Sequence, residues 1–203
     1  MDIGRIGEEA FFIVMFSDDL WSQFKKHMFP GKKSSTFYNY KSGDIAARNG
    51  YLSLMKERSD LIYTKNAMDW AAETGNLEIV QWLHHNRNEG CSVRAMNWAA
   101  ENGNLEIVKW LHHNRKEGCT KDTMNWAAQY GHLEVVQWLH YNRTEGCTTY
   151  AMDYAAMNGH LDIVKWLHKN RTEGCSVHAV NLTAQNGHIE IVQWLKENNT
   201  NIN

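Results

Sequence analysis

Neither sign of charge dominates this chain of 203 residues, in which Lys and Arg number 21 against 23 Asp and Glu. A nucleic-acid or anionic-membrane surface needs a concentrated basic stripe, so neither partner is expected. Long apolar runs are missing too. The longest, AFFIVMF at 10–16, falls far short of the roughly 20 residues that span a bilayer. It follows Glu8 and Glu9 rather than a basic segment, which argues against a secretory leader. An intracellular protein of the cytoplasm or nucleus is expected. The chain has no Gly-rich phosphate loop, no nucleophile–His–acid set and no metal-ligand cluster. No catalytic residue, cofactor or metal is therefore expected.

Cysteine is scarce, and its placement opens the positive reading. Cys91, Cys119, Cys147 and Cys175 stand at a constant spacing of 28 residues. Aligned on that step, the chain repeats itself: AMDWAAETGNLEIVQWLHHNRNEGCS from Ala67, AMNWAAENGNLEIVKWLHHNRKEGCT from Ala95, TMNWAAQYGHLEVVQWLHYNRTEGCT from Thr123 and AMDYAAMNGHLDIVKWLHKNRTEGCS from Ala151. A weaker copy runs from Ala179 to the end, and a degenerate one, DIAARNGYLSLMKER, occupies 44–58. A fixed period of this length marks a stacked-repeat protein. The expected units are a first, degenerate repeat at 41–63, repeats 64–91, 92–119, 120–147 and 148–175, and a C-terminal cap repeat at 176–203.

Within one unit, Ser92 reads as a helix N-cap, and Thr64, Thr120, Thr148 and Ser176 are hydroxyl residues at the same place. Met96, Ala99 and Ala100 form a narrow small-residue stripe. Gly103 ends the first helix in the left-handed conformation that glycine takes without penalty. The second helix, NLEIVKWLHHNRKE, buries Leu105, Ile107, Val108, Trp110 and Leu111, with Arg115 expected in its last turn and Gly118 closing it. Each unit is then an antiparallel helix pair that buries its stripes only by stacking on the next. Thr183 and the polar tail KENNTNIN read as cap substitutions.

The segment AAMNGHLDIVKWL at 155–167 resembles the ankyrin repeat, A-A-x-x-G-H-x-x-V-V-x-L-L, over about residues 44–203. The opening T-P-L-H of that family is replaced by YAMD or RAMN, the inter-repeat hairpin shrinks to GCTTY, and NRTE is read as an extra turn of the second helix. Short-hairpin units with WLHxNRxEGC are similar to those of giant amoeba-infecting viruses and some protists. The resemblance implies an all-α, ankyrin-like helix-pair solenoid with shortened hairpins and polar caps. It implies a monomeric, non-enzymatic scaffold for a protein partner, a host protein if the source is viral.

Each cysteine falls where ankyrin repeats carry a small alanine. Neighbouring helices lie about 8–10 Å apart, beyond the roughly 7 Å Cα limit for a disulfide, so packing is the expected role. The column His84, His112, His140 and His168 is expected to be partly buried and bonded to a neighbouring repeat. Trp70, Trp98, Trp126 and Tyr154 lie opposite the small stripe, toward the concave side. They read either as a stacked aromatic ladder or as the anchor of a binding groove. The expected partner-binding set, on the solvent side of the first helices, is Arg94, Trp98, Glu101, Asn102, Asp122, Trp126, Gln129, Tyr130, Tyr150, Tyr154, Met157 and Asn158. Tyr130 and Met157 are expected to form an exposed apolar spot there.

Residues 1–40 do not repeat. They read as one or two helices, with Ile13, Phe16, Leu20 and Phe24 on one face, ended by Pro30–Gly31. Such a segment could cap the first repeat. Alternatively DDLWSQFKKHMFP looks like the tail of an F-box, which would make the chain a substrate adaptor for a cullin-type ubiquitin ligase.

Overall fold

The computed structural model describes residues 41–198. The two readings of residues 1–40 therefore lie outside the described residues. Twelve helices follow one another in pairs. They are α1 (Gly43–Arg48) and α2 (Leu52–Glu57), α3 (Asn66–Glu73) and α4 (Leu77–Asn86), and α5 (Val93–Glu101) and α6 (Leu105–Asn114). Next come α7 (Lys121–Gln129) and α8 (Leu133–Asn142), α9 (Thr149–Met157) and α10 (Leu161–Asn170), and α11 (Ala179–Gln185) and α12 (Ile189–Asn198). The first helix of each pair packs most closely on the first helix of the next, and the second helices touch more sparingly. No strand forms among the described residues; one isolated bridge joins Ser42 and Ile62.

The packing follows from residue size. Ala71, Ala72, Ala99, Ala100, Ala127, Ala128, Ala155 and Ala156 are wholly buried, so the first helices approach closely. Ile107, Val108 and Leu111, with their equivalents, fill the core between the two layers, while Leu105 and Trp110 are only partly buried against it. Gly103 leaves α5 with φ of 73°, as expected for a helix C-terminus. Ser92, Thr120 and Thr148 accept the N–H two residues on and cap α5, α7 and α9. Ser176 does not cap directly, because α11 starts only at Ala179.

Two expectations are corrected. The second helices end at Asn86, Asn114, Asn142 and Asn170, and NRTE adds no turn. Arg115, Arg143 and Arg171 have extended backbones, so Arg115 stands past the last turn of α6 and Gly118 closes the following loop instead. The cause is chemical. Each arginine pairs with the glutamate two residues on, and side chains at i and i+2 share a side in extended chain but not in a helix. In the last pair, Thr183 is wholly buried and Ala184 is exposed. The cap substitution thus faces inward, and its alanine partner is the exposed one.

Candidate functional site

Three sets of hydrogen bonds join each repeat to the next. The first runs from a buried polar side chain on a first helix to the hydroxyl residue that precedes the next first helix. The Ser92 N–H and hydroxyl both donate to the Asp69 carboxylate, at 2.8 and 2.6 Å. Thr64 does the same to Asp44. Where the clamp is Asn97 or Asn125 its amide donates to the Thr120 or Thr148 hydroxyl, and its carbonyl accepts the threonine N–H. Ser176 N–H completes the series on Asp153 at 2.7 Å. Burial raises the carboxyls of Asp69 and Asp153 above the usual aspartate range, against the pull of these donors.

The second set closes the C-terminal ends of the first helices, whose last carbonyls have no partner within the helix. Asn104, at the N-terminus of α6, does not cap its own helix. It donates to the Ala72 and Glu73 carbonyls of the preceding repeat at 3.1 and 3.2 Å. His160 does the same to the Gln129 carbonyl at 3.0 Å.

The third set lies on the second helices and answers the question of the histidines. The Arg115, Arg143 and Arg171 guanidiniums donate to Nδ1 of His84, His112 and His140 at 3.3, 3.2 and 3.4 Å. Each of these imidazoles also stands edge-on to a tryptophan of the next repeat, as His84 does to Trp110 at 5.1 Å. His84, His112 and His140 are thus half-buried and bonded to the neighbouring repeat, as expected, whereas His168 is exposed and stands edge-on to Trp194 at 5.1 Å. Burial, then the facing arginine, lowers the pKa of His84 and His112, with Glu117 and Glu145 opposing. Burial would raise the Glu117 carboxyl, but the Arg115 and backbone hydrogen bonds outweigh it and hold it at about 2. The four cysteines form no disulfide, and burial pushes Cys91 up to about 12 and Cys147 up to about 11.

The layers leave the expected binding residues on the remaining side of the first helices. Arg94, Asn102, Asp122, Tyr130, Tyr150 and Asn158 are exposed, while Trp98, Glu101, Trp126, Gln129, Tyr154 and Met157 are half-buried. Met157 is therefore not the open methionine the sequence suggests. Asn158 is partly structural, since its amide donates to the Gln129 carbonyl of the preceding repeat. Asn102 turns back on the Trp98 carbonyl. The Tyr130 hydroxyl bonds Glu101, whose carboxyl is raised first by burial and then by Glu73. Among the described residues no ring contact joins Trp70, Trp98 and Trp126 into a ladder. Instead Arg48 lies over Trp70 at 5.4 Å, Arg94 over Trp98 at 5.6 Å, and Tyr150 tilts against Tyr154 at 5.5 Å.

The clamp at Asp69, Asn97, Asn125 and Asp153 is the feature that sequence reasoning missed. Its only trace is a polar residue repeated just after the buried methionine, in AMD and TMN. Among the described residues no helix is long and apolar enough to cross a membrane. The family described as ankyrin repeats (3 copies) matches the chain at residues 44–125, 68–153 and 124–203. Comparison with curated proteins finds no match.

Proposed function

Because the chain belongs to the ankyrin-repeat family, we propose that it is a protein-binding scaffold whose partner lies along the solvent side of its first helices. Ankyrin repeats are generally protein–protein interaction modules rather than enzymes. One observation carries the choice of face. Junction positions keep their chemistry from repeat to repeat, whereas the position four before the aromatic column changes from half-buried Asn66 to exposed Arg94, Asp122 and Tyr150, and to exposed His178 just before α11. A rigid lattice that presents unlike side chains at regular intervals is suited to reading one partner. Exposed tyrosines there, Tyr130 at 50% and Tyr150 at 55%, supply the residue type favoured at interface hot spots.

The test is affinity capture from the native cell with the full chain as bait, followed by substitution. Tyr130→Ala with Tyr150→Ala is expected to leave the melting temperature nearly intact and to weaken capture by more than about 2 kcal/mol, the hot-spot scale. Met157 is left out because it is half-buried. Lys165→Ala with Lys169→Ala, two exposed positions on α10, serves as the control and is expected to change capture little. The reverse pattern would move the binding face to the second helices.

A further inference from the structure

The aromatic column on the first helices differs from repeat to repeat in what lies beside each ring. Two positions flank it: the residue four earlier in the same helix, and the residue near the C-terminus of the preceding first helix. At Trp70 they are Asn66 and Arg48, and the Arg48 guanidinium lies over the ring at 5.4 Å. At Trp98 they are Arg94 and Glu73, and Arg94 lies over the ring at 5.6 Å. At Trp126 they are Asp122 and Glu101. Both are acidic, and among the described residues no cation lies over this ring, whereas the two preceding tryptophans of the column each receive one.

We propose that Trp126, Asp122 and Glu101 form a receptor for the guanidinium of an arginine carried by the polypeptide partner. The proposal rests on the first-helix face being the binding face. The chain's own Arg94 on Trp98 is the internal template, since a tryptophan at this position with this exposure already accepts a guanidinium on its face. Exchanging Arg94 for Asp122 one repeat later removes the cation and leaves a carboxylate in its position. The Asp122 side chain is exposed, and among the described residues no hydrogen bond or ion pair engages it. Glu101 is half-buried and accepts the Tyr130 hydroxyl, and among the described residues no ion pair engages it; burial, then Glu73, raises its carboxyl against that hydrogen bond, and a guanidinium beside it would favour the charged form. The nearest cation in sequence, Lys121, is exposed at the first residue of α7, and adjacent helical residues point in different directions. Arginine fits better than lysine. Its plane stacks on an indole while its edge donors reach a carboxylate, which a compact ammonium cannot do together.

The test titrates the full chain with hexa-arginine and, separately, hexa-lysine peptides of equal charge. Hexa-arginine is expected to bind about tenfold more tightly. Asp122→Arg recreates the Arg94–Trp98 arrangement and so keeps the fold, and it is expected to cost about tenfold in hexa-arginine affinity. Asp122→Asn removes one charge without adding bulk and is expected to cost about threefold. Equal affinity for the two peptides would reduce the effect to bulk charge and overturn the proposal. Indifference of hexa-arginine binding to Asp122→Arg would overturn it as well. Capture of the native partner separates this inference from the reading it rests on. If Asp122→Arg spares capture while Tyr130→Ala with Tyr150→Ala abolishes it, the face stands and the arginine receptor falls. If neither matters, the face falls and the receptor with it.

Discussion

Gly131 and Gly187 share a backbone conformation, with φ of 86° and 82°, but not a neighbourhood. A Cβ on Gly131 would stand 2.7 Å from the His160 ring, whereas one on Gly187 would meet nothing within 4 Å. Alanine at either carries the left-handed penalty of about 1–2 kcal/mol. At Gly131 it must also displace the imidazole that holds the Gln129 carbonyl, so Gly131→Ala is expected to cost about 1 kcal/mol more than Gly187→Ala in urea unfolding. Equal losses would mean that His160 swings away freely. The histidines facing arginines set a pH dependence at the same scale. Burial, and then the arginine that donates to Nδ1, sets the folded pKa of His84 and His112 below the ordinary value. For a base so depressed, the unfolded chain takes up protons first as pH falls. The stability is therefore fully present above about pH 6.5 and is lost progressively below it. Melting temperature is expected to fall between pH 7.5 and 5.5, and less steeply in His84→Leu with His112→Leu. An unchanged slope in that variant would exclude these two groups as the cause.

At the scale of elements, periodicity made the helix pairs, their small-residue stripe and the glycine after each first helix legible in the sequence. It gave no access to side chains that bond 23 to 32 residues away. That is why the NRTE segments look helical by composition and are not. Their arginines reach back to a histidine of the preceding repeat from an extended backbone. The same limit hid the clamp, and Met157 reads as free in sequence only because the core stripe is already filled by Met152, Ala155 and Ala156. The clamp carries a prediction. Asp69→Ala leaves the Ser92 N–H and hydroxyl without their acceptor inside the α3–α5 junction and is expected to cost about 1–3 kcal/mol. Asp69→Asn is expected to cost less, because Asn97 and Asn125 perform the same task two repeats in succession. Chemical denaturation of both variants measures the difference. An asparagine as damaging as alanine would show that the junctions are not chemically equivalent.

For the whole molecule, equivalence of junctions has a stricter consequence. Stability of a stacked array is close to a sum of unit terms and nearest-neighbour interfaces, so a unit can be removed if the new junction repeats the old one. Deleting residues 120–147 joins Cys119 to Thr148. Asn97 then faces Thr148 in place of Thr120, and both are N-cap threonines. Gly103 receives His160 in place of His132, and Arg171 meets His112 in place of Arg143. At these three contacts each mate is thus replaced by its own kind, and one buried bond is lost, because Thr123, whose hydroxyl donates to Asn97, gives way to Ala151. The deletion variant is expected to keep its helicity and a single cooperative melt at lower temperature. A deletion one residue longer or shorter shifts every later mate out of register and is expected to uncouple the two halves into separate transitions. Circular dichroism through thermal unfolding reads both outcomes. The in-register deletion also removes Asp122, Trp126 and Tyr130, so hexa-arginine affinity should fall in a chain that still folds. Loss of folding on removal of the 28 residues would mean that the repeats, alike as they are, are not interchangeable parts.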